Sequence, residues 1–213
     1  MEKKKVSKSV LRRLPGYLGY LKSIPQDGPP HISATALANA LGMGEVQVRK
    51  DLAMVSDGGR PKIGYLREAL IEDIEQFLGY DNTTDAVLIG AGKLGQALLD
   101  YKGFDEYGLN ILAAFDVAPK MDITDAGKHI YPLEQLEAYC RKNKVLMGII
   151  TVPGEYAQDV ADRLVKCGIK AIWSFAPKRL EVPENILVQY ENMATSLAVL
   201  SMHLQAQIKD EKK

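Results

Sequence analysis

The chain has 213 residues, 46% of them hydrophobic and 25% charged, with only two cysteines. That balance excludes a disordered or collagen-like chain and a disulfide framework, and no window holds the roughly eighteen uninterrupted apolar residues that a membrane helix needs. Basic and acidic residues match at 27 each, yet residues 1–65 hold 11 Lys and Arg against 5 Asp and Glu (net +6) and the remainder 16 against 22 (net −6), so a basic module precedes an acidic one. Phosphate neutralisation supplies most non-specific nucleic-acid affinity, so a polyanion is the expected partner of the first module only. The opening Met1-Glu2-Lys3-Lys4-Lys5 leads into an amphipathic stretch without a signal-peptide core, which predicts a cytoplasmic protein.

The periodicity predicts a first helix from Ser9 to Lys22, with Val10, Leu14, Leu18 and Leu21 on one face and Pro15-Gly16 as a candidate kink. Pro25 to Pro30 reads as a loop, and Ser33 as the N-cap of a second helix from Ala34 to Leu41, stopped by Gly42. A third helix from Gly44 to Met54, with Val48, Leu52 and Val55 inward, completes helix-turn-helix spacing. The turn-rich, basic stretch Asp57 to Tyr65 is expected to be a wing, and Arg67 to Leu78 a fourth helix. Past a linker at Gly79 to Thr84, strands are predicted at Asp85–Ile89, Asn110–Phe115, Val145–Val152, Ala171–Phe175 and Ile186–Gln189. Helices at Leu94–Tyr101, Leu133–Lys142 and Tyr156–Cys167 alternate with them, which predicts a doubly wound parallel α/β sheet. The last helix, Ala194 to Lys209, has Met193, Leu197, Leu200, Leu204 and Ile208 along one face. The expected organisation is a winged-helix domain over residues 1–80, a Rossmann domain over 81–190 and a C-terminal helix over 191–213.

Gly90-Ala91-Gly92-Lys93-Leu94-Gly95 fits G-x-G-x-x-G between a buried strand and a helix, and Asp116 ends the next strand, 21 residues beyond Gly95. Each glycine has a physical reason: Gly90 allows the tight turn, Gly92 the close approach of a pyrophosphate, Gly95 the packing of helix on sheet, with the helix N-terminus facing phosphate. Asp116 is placed for the adenosine ribose and would repel a 2′-phosphate, while Val117-Ala118-Pro119 offer no Arg to accept one, so NAD(H) is the expected cofactor. On the third helix, 100° steps put Val46, Gln47, Lys50 and Met54 outward with Arg49 on the flank, and Arg60 and Lys62 flank Pro61 at the wing tip. These residue types read base edges or hold phosphates.

The chain resembles the Rex family of redox-sensing transcriptional repressors over nearly its whole length. The matching stretches are Arg13-Leu14-Pro15-Gly16-Tyr17-Leu18, Ile32-Ser33-Ala34-Thr35-Ala36-Leu37-Ala38, Val48-Arg49-Lys50-Asp51-Leu52, Gly64-Tyr65, the glycine motif continuing to Tyr101-Lys102-Gly103-Phe104, Ala114-Phe115-Asp116, Thr151-Val152-Pro153, Ala157-Gln158 and Phe175-Ala176-Pro177. The resemblance implies a homodimer whose winged helix binds a palindromic double-stranded DNA operator, with Ser33 among the contacts, and whose Rossmann domain senses the NADH to NAD ratio. In that scheme NADH releases DNA, Tyr101 and Thr151-Val152-Pro153 join the cofactor site, and the C-terminal helix is swapped between subunits. No metal, membrane or catalytic residue is implied.

Departures fall on the DNA and switch positions. Ala53-Met54-Val55-Ser56-Asp57-Gly58-Gly59 stands where the family has Ser-Tyr-Phe-Gly-Glu-Phe-Gly, Arg60-Pro61-Lys62 where a glycine usually follows two basic residues, and Lys93 where Asn is usual. Ser174 replaces an Asn before Phe-Ala-Pro. Asn192-Met193-Ala194 replaces Asp-Leu-Ser, and the resemblance assigns that Asp to a switch network with Arg13 and Tyr101, so the network loses its charge. The pattern reads as that of a divergent paralogue. Two rival readings are an NAD-dependent dehydrogenase, for which His31, His129 and His203 offer no catalytic spacing and the acidic part no second domain, and a CoA-binding Rossmann module, which shares the glycine turn.

Overall fold

A computed structural model describes residues 7–210; Lys3, Lys4 and Lys5, part of the basic count, lie outside the described residues. The chain divides into two compact units, one reaching Asn82 and taking in Glu106–Gly108, the other holding Thr83–Asp105 and the chain from Leu109 onward.

In the first unit, α1 (Lys8–Ser23) runs through Pro15 and starts at Ser7, whose hydroxyl accepts from the Val10 N–H. Helix α2 (Ala34–Ala40) is capped by Ser33, which accepts from the Ala36 N–H at 3.0 Å, and Gly42 at φ 63° ends the segment before α3 (Glu45–Val55). Strands β1 (His31–Ile32) and β2 (Tyr65–Leu66) pair antiparallel, so the wing is tied to the start of the helix-turn-helix, and α4 (Arg67–Leu78) stops at left-handed Gly79. Leu14, Leu18, Leu21, Leu37, Val48, Leu52, Leu70 and Ile74 form a core excluded from water, each contributing roughly 1.5–3 kcal/mol by burial. Val55, expected inward, is only half-buried, because α3 ends there.

The second unit is a six-stranded parallel sheet of β3 (Thr84–Ile89), β4 (Leu109–Asp116), β5 (His129–Pro132), β6 (Met147–Ile150), β7 (Ala171–Ser174) and β8 (Leu187–Tyr190), in the order β5-β4-β3-β6-β7-β8. This is the doubly wound arrangement, with its switch point between β3 and β6. Successive residues of β3 explain why the run is uniformly apolar: Val87 and Ile89 enter one core with Phe115 and Leu164, Ala86 and Leu88 the other with Leu99 and Ile149. Helices α5 (Lys93–Leu99), α6 (Leu136–Asn143) and α7 (Ala157–Lys166) are the connecting helices. Strand β5 was not expected from the sequence: it is a four-residue edge with one buried residue, Ile130, and it ends on Pro132, too little for a period to show. Helix α8 (Met193–Asp210) exposes Met193, Leu197, Leu200 and Leu204, each by more than half.

Candidate dinucleotide cleft and nucleic-acid face

Outside the C-terminal ends of β3 and β6 lies a cleft of about 530 Å³, lined among others by Gly90, Gly92, Asp116, Val117 and Thr151-Val152-Pro153. Its size falls in the range of roughly 300–1,000 Å³ typical of small-molecule sites. The glycines behave as their spacing predicts. Gly90 adopts φ 103°, where a side chain is strained, and a Cβ there would also collide with Val152. Gly92 has open space where a Cβ would project, so an approaching ligand reaches bare backbone. A Cβ on Gly95 would collide with the Gly90 carbonyl oxygen, so α5 packs on the turn only because residue 95 has none.

Asp116 closes the other side. Its Oδ2 accepts from the Ala91 N–H at 2.7 Å and its Oδ1 from the Ala118 N–H at 2.9 Å, which binds the end of β4 to the glycine turn and leaves each oxygen a further acceptor position. Thr151 holds the turn from β6: its hydroxyl donates to the Gly90 carbonyl at 2.7 Å and its N–H to that of Ile89 at 2.9 Å. Thr151 therefore acts on the turn, through a proton already engaged. Lys93, Leu94 and Tyr101 are exposed and do not line this cleft. Tyr101 instead stacks edge-on against Phe104, which meets Trp173 in the same way.

Sequence reasoning missed the α7 wall, where Tyr156, Asp159 and Arg163 line the cleft. Arg163 donates to both oxygens of Glu137 at 2.7 and 2.9 Å and to the Leu133 carbonyl, and the guanidinium holds the Glu137 carboxyl below the usual carboxylate range. The one arginine that lines the cleft among the described residues is thus neutralised by α6. Ser174, in the place of the family Asn, buries a hydroxyl without a hydrogen-bond partner among the described residues.

In the first unit, Ser33, Val46, Gln47, Arg49, Lys50, Arg60 and Lys62 are all exposed. Ser33, Arg49, Arg60 and Lys62 converge on a second cleft of about 420 Å³ between the helix-turn-helix and the wing. Arg49 pairs with Glu45 one turn earlier. With its amide oxygen toward Arg13, Gln47 accepts from Nη1 at 2.9 Å, which leaves its amino group outside that contact. Beneath this face lies an unforeseen network: Asp51, 3% exposed, accepts from Arg13 Nε at 2.7 Å and Nη2 at 2.9 Å and from the Tyr17 hydroxyl at 2.7 Å. Burial, then the bond to Asp51, pushes the Tyr17 phenol up to about 12. The signal was Asp51 falling at the inward position between Val48 and Leu52. Asn192, which the resemblance sets beside Arg13 and Tyr101, accepts from the Thr195 N–H at 3.2 Å and caps α8. No described helix is long and apolar enough to cross a membrane, and no metal-binding cluster occurs among the described residues.

Comparison with known proteins gives one family match toward each end of the chain. Residues 81–178 match the family model of a CoA binding domain and residues 5–53 that of a putative DNA-binding protein N-terminus. The chain is 42% identical over 197 residues to the redox-sensing transcriptional repressor Rex of Treponema denticola, covering 90% of this chain and 92% of that one. It is 39% identical to Rex of Carboxydothermus hydrogenoformans, covering 94% and 97%. Among solved structures, the Rex-family repressor RSP, in complex with beta-NAD+ and operator DNA, is 34% identical with a TM-score of 0.87, covering 98% of this chain and 97% of that one; RSP with beta-NADH gives 0.86. These relatives are repressors rather than dehydrogenases, and with such identity along almost the whole of both sequences the chain belongs to the Rex family of redox-sensing transcriptional repressors.

Proposed function

We propose that this protein is a cytoplasmic homodimeric repressor that binds a palindromic operator through residues 1–80 and NAD(H) through residues 81–190, NADH releasing the DNA. The observation that carries the cofactor reading is the convergence of bare backbone at Gly92 with the Asp116 carboxylate in one cleft. Asp116 would hold the adenosine ribose, and the glycine turn the pyrophosphate. When bound, the dinucleotide supplies a nicotinamide ring that is cationic when oxidised and neutral when reduced. Asp116 disfavours NADPH, and equally CoA with its ribose phosphate, because a carboxylate repels the added phosphate and Arg163 is already held by Glu137. On the DNA side, Val46, Gln47, Arg49 and Lys50 would enter the major groove while Arg60 and Lys62 meet the backbone. The apolar stripe of α8 would be covered by a partner subunit and residues 191–213 exchanged between protomers.

The test is a gel shift on the protein's own upstream region with saturating NADH or NAD, beside fluorescence titrations with NADH, NADPH and CoA read through Trp173. Weaker DNA binding with NADH and tighter NADH than NADPH or CoA binding are expected. Equal affinities for the three ligands would remove the Asp116 assignment. Deleting residues 194–213 should yield a monomer by sedimentation.

A further inference from the structure

The wing tip carries a lysine where its backbone calls for glycine. Ile63 N–H donates to the Arg60 carbonyl at 3.2 Å, and an antiparallel bridge between Arg60 and Gly64, with two bonds of 2.9 Å, closes the turn. Pro61 at the second position, positive φ at the third and a bond from fourth to first residue are the marks of a type II turn, whose third position favours glycine or asparagine. That third residue is Lys62, at φ 66°. Among the described residues one other non-glycine has positive φ, Lys144, and it occupies the left-handed cap of α6, a recurrent helix ending. Lys62 ends no helix, and the family resemblance places a glycine in a turn of this kind, so the turn itself does not require the lysine.

Its surroundings supply a reason. The cleft between wing and helix-turn-helix is lined by Arg49, Arg60 and Lys62 together with the hydroxyl residues Ser33 and Thr35, and by no carboxylate among the described residues. Arg49 is engaged by Glu45, whereas Arg60 and Lys62 have no ionic partner among the described residues. A concave surface with free cations and hydroxyls suits a phosphodiester, and lysine acts on phosphate as a point charge that carries no base information. We infer that Lys62 is a phosphate anchor, kept in a strained left-handed position because that turn brings its ammonium to the cleft. This rests on the DNA reading above and adds a specific role for a residue by which this chain departs from its family. Strained backbone of this kind persists where surrounding structure or function holds it.

The two consequences of the inference have opposite signs, which makes it testable with one substitution. In the full-length protein, Lys62→Gly should leave the urea midpoint unchanged or raised, because glycine accepts the turn without strain. It should weaken binding to the protein's own upstream duplex by about fivefold and make log K against log salt concentration shallower by about 1.8, the share of one phosphate under each of the two protomers. An unrelated duplex of equal length should lose the same factor, and Lys62→Ala should lose that affinity without the gain in stability. Wild-type protein that binds while Lys62→Gly keeps both affinity and salt slope would overturn the anchor alone. A loss confined to the upstream duplex would overturn it in favour of a base contact. Wild-type protein that binds neither duplex would overturn the DNA reading and the anchor together.

Discussion

Replacing Arg13 by alanine separates two roles for that residue. The family resemblance makes Arg13 a switch residue, active when the ligand changes, whereas the structure gives it a standing partner in Asp51. The Asp51 carboxylate is 3% exposed and receives two guanidinium bonds and one from Tyr17. Breaking a buried pair by removing one partner costs about 3–5 kcal/mol, because the remaining charge stays desolvated. The Arg13 side chain is itself 20% exposed, so water reaches the vacated side and the expected loss is about 2–3 kcal/mol. Urea unfolding followed by far-ultraviolet circular dichroism reads this directly, since the first unit is built mainly of helices. Asp51→Ala and the double variant complete a cycle, whose coupling energy should be about 2 kcal/mol for a directly bonded pair. Because α3 carries the exposed residues Val46, Gln47, Arg49 and Lys50, Arg13→Ala should also weaken DNA binding with no dinucleotide present. A variant within about 0.5 kcal/mol of wild type, with unaltered DNA affinity until NADH is added, would refute the structural role and leave the switch role alone.

Gly92→Ala should fold normally, since its Cβ meets nothing, yet bind NADH at least tenfold more weakly by calorimetry, while Gly95→Ala should lose stability outright through collision with Gly90. If Gly92→Ala binds NADH as the wild type does, the pyrophosphate lies elsewhere. Asp116→Ala should lower NADH affinity and narrow the preference over NADPH, and an unchanged ratio would dissociate Asp116 from the ribose. Tyr17 titrates normally near 10 when unfolded and is pushed up to about 12 in the fold, so its contribution to stability is fully present below pH 10 and disappears as the pH rises toward 12. Tyr17→Phe should remove that alkaline loss from the stability profile. Asn192→Asp should preserve the cap on α8, both residues being good caps, and restore a charge-assisted bond worth about 1–2 kcal/mol more than a neutral one. The ratio of operator affinities with NAD and NADH should then rise by up to about tenfold, and a ratio that does not move would route the switch through other residues.

The features legible in the sequence are those set by short stretches of chain. A run of apolar residues, a glycine turn and a helical period state the β3-turn-α5 unit, and Asp116 follows because β4 runs beside β3 with Phe115 opposite Ile89, which brings the next residue to the glycine turn. The helix-turn-helix is equally local, its caps and Gly42 stop lying within a few residues of what they terminate. What the tertiary structure decided joins residues far apart: Asp51 with Arg13 across 38 positions, Arg163 with Glu137 across 26, Thr151 with Gly90 across 61. No periodicity encodes such pairs. Arg163 lines the cleft and yet is unavailable to a phosphate because α6 happens to present Glu137 to it, and Asp51 is an inward-facing charge whose cost is met from helix α1. Local geometry fixes which backbone atoms a ligand can approach; which charges remain free to meet it depends on the partners that folding brings alongside, because a charge removed from water must find its counterion wherever the fold supplies one.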